Sequence, residues 1–573
     1  MSRGAKIGLG IVAFVAAGLL TLVLMARAAR QPETGSVLEI RLKGSIPEQA
    51  ASDAITRLLE GREVTLIDYL DLLRRARDDG RINGLLLVID GPDIGFAKAQ
   101  ELRDAILDFQ SGGKWAVAFL ETAGEFSPGN QDYYLATACG SIWMAPPGDV
   151  FLTGMRGEAV FLRGTLDLLG IYPDYDHIGK YKTFKNLFTD TAMTEAYRES
   201  MDAIVGSLYD QMVAGIAAGR KLTEPEVRTL IDGGPYIGPR ALEAKLIDGL
   251  AYRDQVDDQL REKNGGRLPL VKPSKYLVAG RHYSRGPRVA VIYGIGGVAR
   301  GSSDDDAFTG GATLGSDTIA RAIREAREDD AIRAIVFRVD SPGGSYVASD
   351  IIWREVKRTR GVKPIVVSMG DVAASGGYFV SIAADRIVAE PGTLTASIGV
   401  VAGKFVTKGF WNKIGVTWDG VQRGRNAAFF SGDQKWTVEE RARFQDWLDR
   451  IYKDFVGKVA EGRGKTPEEI HAIAQGRVWS GKDAVALGLV DEMGGLTTAI
   501  RAALLLAKLD PDGPARLVSM PEKKGILDQI FDSDGETRGA AARIRDRVRR
   551  FVTEGPIPPG EQVLRLPFVP VIR

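Results

Sequence analysis

A serine set among small residues can act as a nucleophile when backbone N–H groups stand nearby to hold negative charge. Ser375 occupies such a string, Met369-Gly-Asp-Val-Ala-Ala-Ser-Gly-Gly-Tyr378, and a second glycine loop, Asp340-Ser-Pro-Gly-Gly-Ser345, precedes it. Consecutive glycines bring N–H groups close to a reacting atom because no side chain intervenes. The pattern predicts a loop that becomes a helix over Gly377 to Ala384, with Ser375 at its start. Free N–H groups and the helix dipole favour developing negative charge there. A plain helix cap flanked by turn glycines has the same sequence, so these loops alone leave both readings open.

A serine nucleophile needs a base. The chain has only three histidines, His177, His282 and His471, and none lies in a comparable loop. A lysine serves instead where burial disfavours its charged form. The segment Gly179-Lys180-Tyr181-Lys182-Thr183-Phe184-Lys185 offers one, although a solvated basic loop has the same composition.

The elements that must position these groups read as α/β. Short β-rich apolar runs at Leu85–Ile89, Ala334–Val339 and Pro364–Ser368 suit strands buried on both faces of a parallel sheet. The last two feed the glycine loops, where open parallel sheets gather catalytic groups.

The pattern also repeats. Residues 74–92 are echoed at 324–342 (324 − 74 = 250), and residues 134–148 at 378–392 (378 − 134 = 244). Residues 218–227 and 241–250 find echoes at 461–470 and 483–492. Two copies of one domain are predicted, over 36–270 and 287–506. Ser375 maps onto Gln131 (375 − 244), and Lys182 onto Ala427 (182 + 245). The glycine pair is lost in the first copy, which reads Asp90-Gly91-Pro92-Asp93. Each half keeps what the other lacks, so a Ser375–Lys182 pair needs both.

The bulk numbers narrow the partners. Lys plus Arg (75) and Asp plus Glu (74) nearly cancel, so no global charge favours nucleic acid. Cys139 is the only cysteine, which excludes an intramolecular disulfide and a cysteine metal site. Residues 7–26 carry no charge and would span roughly 30 Å as a helix, which predicts a transmembrane anchor. A cleaved signal peptide is the alternative, with Ala26-Arg27-Ala28 as the cleavage site, but its apolar region is usually about 7–15 residues. Residues 507–573 form a basic, proline-containing extension with six arginines between Arg538 and Arg550. That pattern suits a solvated helix or contact with anionic headgroups.

These motifs resemble the long form of the signal peptide peptidase A family, also called protease IV, from the anchor to about residue 506. The carriers are Asp340-Ser-Pro-Gly-Gly-Ser345, Ser368 to Tyr378, Leu394-Thr-Ala-Ser-Ile-Gly399 and Gly179-Lys-Tyr-Lys182. The resemblance implies two tandem Clp/crotonase-like domains and a Ser/Lys dyad peptidase that degrades cleaved signal peptides. It implies Ser375 as nucleophile, Lys182 as general base, and Ser397 as hydrogen-bond partner of the lysine. It further implies Gly376 with Gly343 or Gly344 as oxyanion donors. No metal or organic cofactor is implied. The expected setting is a ring-like homotetramer anchored in the bacterial cytoplasmic membrane, with its catalytic domains on the periplasmic side. Two rivals remain from the residues themselves: a crotonase-like enzyme acting on an acyl thioester, which needs no Ser375, and a non-catalytic membrane scaffold.

Overall fold

The computed structural model describes residues 31–49, 63–278, 285–303, 305–306, 311–521 and 564–565. The anchor expected at 7–26, His282 and most of the extension from 507 lie outside the described residues. Among the described residues no helix is long and apolar enough to cross a membrane.

Two sheets form the frame. The first runs Gly249–Leu250, Ser141–Met144, Trp115–Leu120, Ile82–Asp93, Ser36–Ser45, Leu270–Val271, all parallel. The second runs Val478–Ser480, Leu394–Ala396, Ile365–Ala374, Ile332–Ser341, Arg288–Ile295, Arg516–Met520. Only Val478–Ser480 is antiparallel on that path. The second sheet thus reaches past residue 506. The strand centres are buried, as their unbroken Val, Ile and Leu runs require. Residues Met369 to Ala374, expected as a loop, continue the strand Ile365–Ala374. Its register against Ile332–Ser341 shifts between Val339 and Ser341, and this irregularity lifts the small residues out of the regular ladder.

The halves interlock. Tyr172–Ile178 from the first pairs antiparallel with Val400–Val406 from the second, with Asp174 opposite Lys404. Two helices also exchange caps. Helix Phe96–Ser111 begins at Gly95, which has no side chain to cap it. Asp371 of the other half accepts from Gly95 N (3.2 Å) and Lys98 N (2.9 Å) instead. In return Glu101 accepts from Leu496 N (2.7 Å), where helix Leu496–Leu506 starts behind Gly495. A carboxylate at a helix N-terminus satisfies orphan donors and meets the positive end of the dipole.

Arg338 ties these caps together. It is fully buried and bonds Glu48 Oε1 (3.0 Å) and Oε2 (3.1 Å), Glu101 Oε1 (2.6 Å), Ser368 Oγ (3.0 Å) and the Met369 carbonyl (3.1 Å). Lys98 Nζ reaches Glu48 at 3.1 Å. Burial, Asp371 and Glu48 raise Asp340 to about 7. Thus of the two aspartates in the glycine-loop motifs, Asp371 serves the seam between halves, whereas Asp340 accepts from Val372 N (3.1 Å) in its own half.

Candidate active site

Ser375 ends the strand Ile365–Ala374 and precedes one short turn of helix, Gly376–Phe379, less than the helix expected to Ala384. Its side chain caps nothing. Its backbone has φ 55° and ψ −112°, a strained setting for a non-glycine residue that costs about 1–3 kcal/mol unless its surroundings impose it. The imposed contacts are Ser375 N to the Ala396 carbonyl (2.7 Å) and Phe379 N to the Ser375 carbonyl (2.8 Å). The strain aims the hydroxyl away from the helix and toward Lys182.

Lys182 Nζ lies 2.7 Å from Ser375 Oγ, 2.9 Å from Ser397 Oγ and 3.0 Å from the Ser397 carbonyl. All three side chains are buried. Burial pulls the Lys182 amine well below its ordinary range. A neutral amine has two N–H donors and one lone pair. Ser397 offers two acceptors, so the lone pair is left for the Ser375 proton. Ser397 Oγ can pass its own proton toward the Gly476 carbonyl at 3.4 Å. Ser397 holds φ 52° and Ala396 φ 62°, so this corner is strained on both sides of the lysine.

The glycines crowd the serine. A Cβ on Gly376 would stand 3.0 Å from Gly344 N and 3.1 Å from Gly343 Cα, so the two loops touch. Gly343 N donates to Ser341 Oγ (3.2 Å). Gly343–Gly344 also carries the antiparallel strand Leu564–Arg565 of the chain's own C-terminal region. In the first half, Gln131 at the serine's counterpart position donates to the Ile94 carbonyl (2.9 Å). Of the histidines, His177 sits in the inter-half strand pair opposite Val401, where burial holds it down at about 4. His471 meets Tyr452 Oη at 2.8 Å.

Three contributions escaped the sequence reading. The lysine is seated by Gln475-Gly476 of the other half, where Tyr181 N donates to the Gln475 carbonyl (2.8 Å) and Gly476 N to Ile398 (2.7 Å). Beside it Arg477 bonds Glu199 (2.7 Å) and lies over the Tyr181 ring, while Tyr181 Oη donates to Glu199 (2.8 Å). The third is the Arg338 cluster. The first copy carries Asp232 and Gly233 where the second has Gln475 and Gly476 (475 − 243 = 232), so the repeat gave no pointer to the seat. Gly476 has φ +82°, and a Cβ there would fall 2.5 Å from Lys182 N and 2.6 Å from its Cα. Gly476→Ala is therefore expected to push the amine off the serine and lower kcat/KM by about 10²-fold, the scale of an ångström-sized misplacement. Steady-state peptide hydrolysis checks this, with an unchanged rate as the contrary result.

Comparison with known proteins bears directly on this geometry. The profile of peptidase family S49 matches residues 125–266 and 357–510, one stretch in each half. The chain is 32% identical over 529 residues to the serine protease SPPA, chloroplastic, of Arabidopsis thaliana, covering 90% of this chain and 76% of that one. It is 33% identical over 536 residues to Protease 4 of Salmonella typhi, covering 90% and 82%. The chain belongs to peptidase family S49. It is a long-form member and a serine protease. Within this S49 chain the second matched stretch holds Ser375, Ser397 and Gly476, and the first holds Lys182. The match thus divides the buried cluster between its two parts.

Proposed function

We propose that this S49 protease is a membrane-anchored endopeptidase that degrades cleaved signal peptides through a Ser375/Lys182 dyad. The supporting observation is the 2.7 Å contact between Lys182 Nζ and Ser375 Oγ inside a buried site that disfavours the charged amine. In this reading Lys182 takes the Ser375 proton, and Oγ attacks the peptide carbonyl. The oxyanion is held by N–H groups at Gly376 and at Gly343 or Gly344. Lys182 then gives its proton to the leaving amine. Water, deprotonated by the same amine, releases the acyl-enzyme and regenerates the serine.

The strand Leu564–Arg565 on Gly343–Gly344 supports peptide recognition by β-addition, since it shows this edge taking up extended backbone. Anchoring through residues 7–26, the tandem Clp/crotonase-like description, and a homo-oligomeric state at a bacterial cytoplasmic membrane with its sites on the periplasmic side complete the proposal. The relatives named Protease 4 are bacterial and fit that setting.

The test is labelling by a serine-directed acylating peptide probe. Labelling should fall on Ser375 and vanish in Ser375→Ala. Its rate should rise with pH until Lys182 is fully neutral and then level off, because the folded amine titrates below the ordinary lysine value. A rate that is flat from pH 5 to 10 would count against lysine as the base.

A further inference from the structure

A cavity of about 260 Å³ opens in the seam between the halves, where helices Leu66–Asp78 and Phe96–Ser111 of the first meet Glu390 and helix Leu496–Leu506 of the second. It shares no lining residue with the Ser375, Lys182 and Ser397 cluster. Glu101 stands in its wall with both carboxylate oxygens engaged, Oε1 by Arg338 and Oε2 by Leu496 N.

Glu390 has no such partners. It follows strand Arg386–Ala389, is 2% exposed, and its carboxyl makes no hydrogen bond or ion pair among the described residues. Its backbone carbonyl accepts from Thr393 N (3.0 Å), so the main chain there is fixed. Burial, with the Glu101 and Asp104 carboxylates of the cavity wall beside it, holds the Glu390 carboxyl well above its ordinary range. Asp104 likewise makes no hydrogen bond or ion pair among the described residues. A buried carboxyl without a partner carries a cost that a bound cation would offset. The acids do not converge on a metal: among the described residues no three His, Cys, Asp or Glu side chains are grouped to hold an ion. An organic ammonium, with its three spread donors, is the cation that separated acceptors suit.

The mouth of the cavity carries the opposite charge. Arg74 and Arg501 share one carboxylate, Asp512, through long contacts of 3.6 Å and 3.3 Å. The Asp512 side chain is 61% exposed, so it is weakly held. Arg77 beside them is already occupied by both oxygens of Asp78 and of Asp108. Two guanidiniums on one exposed carboxylate leave donors for a second anion.

We propose that this cavity binds a small zwitterion of the amino acid or dipeptide class, with its ammonium between Glu390 and Asp104 and its carboxylate on Arg74 and Arg501. The volume lies below that of a drug-sized site, in keeping with so small a ligand. Peptide hydrolysis ends in molecules of this class, so the site senses the products of the protease that contains it. Its walls come from both halves, and an occupant therefore ties the seam together. The assignment uses neither Ser375 nor Lys182 and stands apart from the dyad reading.

The test is the melting midpoint of the full chain in detergent, with L-alanyl-L-alanine as the probe. At about a hundred times its Kd the dipeptide should raise the midpoint by about 5–10 °C. Its C-terminal amide lacks the anion and should bind about tenfold more weakly. Its N-acetyl form lacks the cation and should give no shift. Glu390→Gln keeps the shape and removes the charge, so it should fold with an unlowered midpoint and bind the dipeptide at least tenfold more weakly. Arg501→Gln, on the exposed rim, should weaken the dipeptide about threefold and leave binding of the amide unchanged. Ser375 labelling should keep its rate with the dipeptide present. The proposal is overturned by the absence of a dipeptide shift, by a full shift in Glu390→Gln, or by equal shifts from the dipeptide and its amide. A shift from magnesium or calcium chloride without one from the dipeptide would mark a metal site instead. Protection of Ser375 would place the dipeptide at the active site and equally overturn it.

Discussion

Ser375→Ala and Lys182→Ala are each expected to lower kcat/KM for a peptide by about 10⁴-fold or more, and the double variant by scarcely more than either. Groups that act as one unit behave this way, because the second removal takes nothing that the first has left working. Lys182 touches Ser375 Oγ and both oxygens of Ser397, so its loss leaves the buried hydroxyl without its base. Ser397→Ala should cost less, since the Ser397 carbonyl still orients the amine. Retention of full activity in either dyad variant would sink the mechanism and leave the thioester or scaffold reading.

A companion measurement separates chemistry from folding. Lys182→Met should be inactive and yet melt higher than the native chain at neutral pH. The folded amine titrates below the unfolded one, at about 10.4, so below that value the unfolded chain holds more protons. Native stability therefore rises with pH between the folded and unfolded values, and the penalty of burying the amine is greatest below the folded value. The advantage of Lys182→Met should be largest at neutral pH and shrink toward pH 10.5. Calorimetry across that range reads it.

Much of the site was legible because its parts are local. Ser375 and its glycines occupy one strand end, and Lys182 one tight turn, so each left a short motif. Their pairing was legible because the duplication made the absences at Gln131 and Ala427 visible. What stayed hidden depends on three-dimensional proximity with no periodic signature. Gly476 reads as an ordinary turn glycine, and only the fold brings its Cα beneath Lys182. The Met369 to Ala374 run looked like a loop because small residues have poor strand propensity, yet pairing on both sides overrides propensity. Arg338 lies in an apolar strand run, where a lone arginine suggests an exposed edge. Its partners Glu48 and Glu101 come from 290 and 237 residues away, a separation that no local pattern encodes.

That arginine carries the second large prediction. Arg338→Met should destabilise the chain by about 3–5 kcal/mol, because it leaves Glu48 and Glu101 buried with Lys98 as the nearby cation. At roughly 2–4 °C per kcal/mol for units of this size, the melting midpoint should drop by about 10 °C. The charge, not the packing volume, is the cause. Adding Glu101→Gln to Arg338→Met should therefore recover a large part of the loss, whereas Glu101→Gln alone should destabilise. Activity should fall more steeply with temperature than the melting curve does. Arg338 holds the strand whose next residues enter the Gly343–Gly344 loop, and Glu101 caps a helix of the opposite half. Loosening the seam lets Lys182 leave Ser375 before either sheet melts. A loss below about 1 kcal/mol would mean that the cluster is not what locks the two halves together.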